Sequence, residues 1–205
     1  LEEKISEMNF LRKEGYVLAS LATAMIDNPL LAATGHRICN DCMKSCIFQV
    51  QEPVNIPEVE TETLKQILQL NYGFEIYSLL SRWNPLNLRH FLPSTKTYKN
   101  ILIVGFGPAG FNLAHHLLNS GHNIIAIDGL KIEPLDPALT GIDEFGKHHK
   151  FRAIKDVGTE LFEDLDTRTP AGFGGVAEYG ITVRWNKNYL KLIRIILERN
   201  RNFRL

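Results

Sequence analysis

The chain has 205 residues, 44% hydrophobic and 22% charged, an ordinary globular composition with room for one large domain or a domain plus a small module. Its 23 basic residues balance its 23 acidic ones and no basic block stands apart, which argues against a nucleic-acid surface built on phosphate neutralisation. No run of roughly 18 apolar residues predicts a membrane span, and no charged-then-apolar leader is visible, so a cytoplasmic, reducing location is expected. The sequence begins at Leu1 rather than Met and stops at Asn202-Phe203-Arg204-Leu205, in an expected strand, so it reads as a piece of something longer.

Residues 1 to about 28 read as helical. Leu18, Leu21, Ala22, Met25 and Ile26 share an apolar face, Gly15 breaks the stretch in two, and Asn28-Pro29 closes it. The segment from 34 to 58 holds Pro53 and Pro57 without periodicity and predicts an irregular loop. Thr61 to Leu70 and Phe74 to Trp83 predict two short helices, and 84–97, with Pro85 and Pro93, a linker. These elements make residues 1–97 an all-helical module and 98–205 an α/β module.

All three cysteines lie in that first loop, as Cys39-x-x-Cys42-x-x-x-Cys46. An odd, tightly spaced set is a poor disulfide framework and a better ligand set. Three thiolates cap one face of an iron–sulfur cluster, which normally takes four. A zinc site would use His36 as the fourth ligand. Three unliganded thiols, or a C-x-x-C redox pair, are the remaining readings.

Ile101 to Val104 is a continuous apolar run, as expected of a strand buried on both faces. It leads into Gly105-Phe106-Gly107-Pro108-Ala109-Gly110, a G-x-G-x-x-G turn. The first glycine permits the tight turn, the second lets backbone approach a pyrophosphate, and the third lets helix pack on strand. Pro108 suits a first helical turn. Phe111, Leu113, Ala114, Leu117 and Leu118 keep helical spacing up to Ser120-Gly121. A second strand, Asn123 to Ile127, closes on Asp128, where a ribose hydroxyl would be held. The order strand, glycines, helix, strand, acid predicts a Rossmann-like dinucleotide-binding βαβ unit, and Asp128 suits the ribose of NAD or of FAD.

Residues 129–171 mix prolines, glycines and charges over a length too great for a plain loop, so short helices are expected, one near 158–166. His148-His149, between Lys147 and Lys150, reads as a solvated charged turn rather than a metal site, because no third ligand is nearby. Gly172-Phe173-Gly174-Gly175 opens a second glycine-rich segment. From Asn186 to Arg199 a helix is predicted, with Tyr189, Leu192, Ile193 and Ile196 buried and Lys187, Lys191, Arg194 and Glu198 outside that stripe.

Taken together, these motifs resemble the small subunit of glutamate synthase and its relatives, including the N-terminal half of dihydropyrimidine dehydrogenase. Thr34-Gly35-His36-Arg37-Ile38-Cys39-Asn40-Asp41-Cys42-Met43-Lys44-Ser45-Cys46 is similar to that family's T-G-R-V-C-x-x-C-x-x-x-C, and Gly105 to Gly110 to its G-x-G-P-A-G. Gly174-Gly175-Val176 and Tyr179-Gly180-Ile181 resemble its G-G-x and Y-G-I-P segments, and Arg184 falls where the family has an arginine near the flavin. The resemblance implies an α/β fold: an FAD-binding Rossmann-like domain (98–205, with 129–171 as an insert) preceded by an iron–sulfur-like helical module (1–97). FAD would be held by Gly105, Gly107, Pro108, Ala109, Gly110, Asp128, Gly174, Gly175 and Arg184. A cluster, of the 4Fe-4S kind, would take Cys39, Cys42 and Cys46, a ligand set incomplete within this sequence. NAD(P)H would bind a domain outside this chain, and electrons would pass to a redox partner subunit or domain. Here the acid is Asp128 where the family has glutamate, and the insert is much longer than the family's. Two further readings use the same fold: an NAD-binding dehydrogenase with a zinc-stapled module, and an assembly or regulatory subunit without catalysis.

Overall fold

The computed structural model describes residues 3–34, 40–89, 99–129, 132, 134–164 and 183–205, the last stretch by its side chains from 187 onward. Helices α1 (Ile5–Lys13) and α2 (Val17–Asp27) flank Gly15, whose φ of 85° makes the break that the sequence suggested. One-turn helices α3 (Leu31–Thr34) and α4 (Asp41–Lys44) follow, then α5 (Ile56–Leu68) and α6 (Gly73–Arg82). The loop expected over 34–58 therefore holds α4 and the first turn of α5. That helix starts five residues before Thr61 because Asn55 caps it. The Asn55 side chain accepts from the Glu58 N–H at 3.3 Å and donates to the Glu58 carboxylate at 2.8 Å, with Pro57 in the first turn. Leu21, Met25, Leu64, Ile67, Phe74 and Tyr77 are buried between these helices. The Tyr77 hydroxyl accepts from Ala32 N–H at 3.1 Å and donates to the Pro29 carbonyl at 3.3 Å, which ties α3 to α6.

The second part is α/β. Strand β1 (Asn100–Val104), helix α7 (Pro108–Asn119) and strand β2 (Asn123–Ile127) follow the expected boundaries. Short helices α8 (Pro137–Thr140) and α9 (Val157–Glu160), the long α10 (Val183–Glu198) and β3 (Phe203–Arg204) complete the order. The three strands form a parallel sheet in the order β1-β2-β3, with Asn100 to Val104 opposite Asn123 to Ile127 and Phe203 opposite Ile124. Ile103, Ile124, Ala126 and Phe203 share one buried cluster with Phe111 and Ala114 of α7 and Leu192 and Ile196 of α10, and the cluster continues into the helical module. The alternate residues Leu102, Val104, Ile125 and Ile127 are exposed. Among the described residues the apolar run at 101–104 is thus covered on one side, and not on both as its composition implied.

Helix α10 departs from expectation in the opposite sense. Lys187, Lys191, Arg194 and Glu198, read as its outer face, are all buried. Residues 134–164 lie over that face and answer its charges. Lys191 donates to the Leu161 carbonyl at 3.1 Å and pairs with Glu163, Lys187 reaches the Asp164 carbonyl, and Asn188 donates to the Glu163 carbonyl at 2.9 Å. Arg199, just past α10, joins three parts of the chain. It donates to the carbonyls of Leu139 (2.8 Å) and Arg152 (3.0 Å) and to Glu75 of α6 (2.8 Å), between the rings of Phe151 and Phe74. The long segment after β2 is thereby a cover for α10, with one-turn helices at 137–140 and 157–160 where a helix near 158–166 was expected.

Candidate functional site

Strand β1 delivers the glycine turn to the carboxyl edge of the sheet. Gly105 N–H donates to the Ile127 carbonyl at 2.8 Å, extending the ladder one residue, and Gly105 turns the chain at φ 91°. Only glycine adopts that angle without strain. A Cβ on Gly110 would stand 2.1 Å from the Gly105 carbonyl oxygen, so the first turn of α7 packs directly on the loop. Between them, the Phe106 ring is fully buried and lies 5.5 Å from the Phe203 ring of β3. Gly107 caps α7 with φ −77° and no side-chain hydrogen bond, and Pro108 occupies the first helical position. The N–H groups of the following turn carry the partial positive charge of the helix start.

Asp128 stands directly beyond β2, one strand over. Its Oδ2 accepts from Phe106 N–H at 2.6 Å, a charge-assisted bond that fixes the carboxylate against the glycine loop. On its other side opens a cavity of about 570 Å³ between the ends of β2 and β3 and the turn at 142–146. Glu198, Arg194 and Arg204 line it with Asp128. Burial raises the Glu198 carboxyl, against the pull of Arg194, whose Nε donates to it at 2.6 Å. The turn itself is closed by Asp143. Its Oδ1 accepts from the N–H groups of Phe145 (3.0 Å) and Lys147 (2.8 Å) and its Oδ2 meets His149 Nε2 at 2.7 Å. The His149 bond, foremost, lowers the Asp143 carboxyl. His148 Nε2 meets Arg204 at 2.9 Å, and burial followed by the charge of Arg204 lowers its pKa. The two histidines therefore serve the turn, as the charged-turn reading had it.

The structure thus brings together Gly105, Gly107, Pro108, Ala109, Gly110 and Asp128. Gly174 and Gly175 lie outside the described residues. Arg184 falls in the first turn of α10, with its side chain outside them. Of the cysteines, Cys39 lies outside them, as does His36, whereas Cys42 on α4 and Cys46 just beyond it are half-buried. The chain keeps winding there, with Ser45 N–H on the Asp41 carbonyl at 3.0 Å and Cys46 N–H on that of Met43 at 3.2 Å, so the two lie about one turn apart. Among the described residues no group of three or more His, Cys, Asp or Glu is placed to hold a metal ion. Reading the sequence missed Arg194, Arg204, Glu198 and the Phe145 turn. A parallel third strand directly after α10 was the available signal, since its end must neighbour that of β2.

No family model and no solved structure matches the chain. It is 54% identical over 175 residues to an uncharacterized protein of Rickettsia prowazekii (strain Madrid E). The match covers 85% of this chain and 23% of that protein, so the chain spans about a quarter of its relative's length.

Proposed function

We propose that this chain is the FAD-binding, iron–sulfur-linked part of an NAD(P)H-dependent oxidoreductase, with a Rossmann-like site at the carboxyl edge of β1 and β2. The observation that carries the proposal is the geometry of the glycine turn beside Asp128. Gly105 and Gly110 are demanded by the fold itself, through a positive φ and a 2.1 Å approach. Gly107, at φ −77°, carries no such conformational demand. A missing side chain at the helix start, beside a fixed carboxylate one strand over, is what an approaching pyrophosphate and its ribose require. Ala109 and Gly110 would offer N–H groups to the phosphates, and Asp128 would accept from the ribose hydroxyls. From the resemblance, Gly174, Gly175 and Arg184 would flank the flavin, and Cys39, Cys42 and Cys46 would bind a cluster shared with ligands from elsewhere. The flavin would supply the redox chemistry. The chain's own residues orient it and fix its charge.

The test is anaerobic purification of the full-length protein, with cofactor extraction, mass identification and iron analysis. FAD and iron are expected. Extraction of NAD alone with bound zinc would replace this reading by the dehydrogenase one, and absence of every nucleotide would end both. Gly107→Val should keep the fold and lose more than tenfold in cofactor content.

A further inference from the structure

The helical module carries another hollow, of about 760 Å³, between the start of α2, the end of α5 and the outer side of α6. Tyr16, Leu18, Leu70, Leu79, Trp83 and Leu86 line it, each between 39% and 64% exposed, and none of its described lining residues is charged. Leu88 stands just beyond, 84% exposed. The turn that carries Leu86 and Leu88 is nevertheless fixed. Buried Asn84 donates to the Ala22 carbonyl of α2 at 2.7 Å and accepts from Leu86 N–H at 3.0 Å. The N–H groups of Asn87 and Leu88 bond back to the carbonyls of Asn84 (2.9 Å) and Leu86 (3.1 Å). Leucines held out on a rigid turn have little conformational freedom left to lose on binding. Together these side chains expose about 700 Å², above the roughly 300–600 Å² of the largest apolar patch on a typical monomer. The hollow shares no lining residue with the cavity beside Asp128.

We infer that this hollow docks a second copy of the protein, Leu88 of each copy entering the groove of the other about a two-fold axis. Three features select that occupant. A two-fold interface sets one patch against itself, so it needs a projection beside a recess, and Leu88 beside the groove supplies both. It also must not set like charges against each other, and the described lining carries none. The area is sufficient: two copies would bury about 1,400 Å² from these side chains alone, within the roughly 1,200–2,000 Å² of stable interfaces. A fatty acid or phospholipid fits less well, because the lining offers no cation to its head group.

The test is sedimentation velocity and photo-crosslinking of the full-length protein. A dimer is expected at micromolar concentration. Leu88→Glu and Leu79→Glu would each bury a carboxylate against an apolar wall, and each should weaken the dimer more than tenfold. Circular dichroism reports whether Leu79→Glu folds; if it does not, Leu88→Glu, on the exposed turn, decides. With p-benzoylphenylalanine at Leu88, and one copy isotope-labelled, irradiation should join the two copies through peptides containing Leu18 or Leu79. A monomer at micromolar concentration would overturn the inference, as would a dimer that Leu88→Glu leaves intact. A crosslink from position 88 to another part of the same polypeptide would overturn it too, by showing that the groove is covered from within one copy.

Discussion

Glu60 on α5 is buried, and burial, reinforced by the charge of Glu3, raises its carboxyl to about 7. The folded protein therefore keeps a proton there that the unfolded chain releases. Stability should fall as pH rises from about 4.5 to 7 on this account. Glu60→Gln should remove the loss, gaining roughly 2–3 kcal/mol at pH 8 and almost nothing at pH 4 in urea titrations. A variant no more stable at pH 8 would refute the assignment. His115 on α7 has the opposite slope. Burial, then His116, lowers it to about 3, while Asn119 lies 3.1 Å from its Nε2. The unfolded chain takes up a proton below about 6.5 that the folded one refuses, so acidification from 6.5 towards 3 destabilises. Both residues occupy helical positions that read as unremarkable in sequence, because their burial depends on which helix lies opposite.

Among elements, α10 and the segment that covers it are the most interdependent. Arg199 is almost wholly buried and Glu75 serves two masters, accepting from Arg199 at 2.8 Å and from the Ile154 N–H at 2.8 Å. Removing one partner of such a pair leaves an uncompensated charge. Arg199→Met should cost roughly 3 kcal/mol in urea titrations and should open 141–152 to limited proteolysis before the rest. Unchanged stability would show that the ion pair and its carbonyl contacts contribute nothing net. The boundaries of α1, α2, α6, α7, β1 and β2 were legible because period and breakers are local: Gly15, Ser120-Gly121 and the apolar stripes act within a turn or two. The start of α5 was written in Asn55-Ile56-Pro57-Glu58 and overlooked beside the prolines. The polar face of α10 was not legible at all. A Lys and Arg row at helical spacing looks solvated until Glu163, Asp164 and Leu139, up to 60 residues away, are brought onto it. The same limit hid Arg194. Its i,i+4 partner Glu198 makes an ordinary surface pair in sequence, and only the fold buries both.

At the scale of the whole molecule, the glycine turn, Asp128 and the cavity follow from one parallel sheet whose second side carries Leu102, Val104, Ile125 and Ile127 to solvent, Val104 with 74% of its surface. Sheets of this kind are ordinarily covered on both faces. The glycine turn was legible because it is contiguous; the exposure of the sheet's second side was not, because a hydrophobic strand looks the same whether or not anything lies over it. A practical outcome concerns handling at the bench. The 205-residue polypeptide, produced by itself, should light up a hydrophobic dye and elute as large, concentration-dependent aggregates. Leu102→Lys with Ile125→Glu, opposite each other in register, should restore a dispersed species with unaltered circular dichroism. Low dye fluorescence in the original polypeptide would show that its greasy flank is already sheltered.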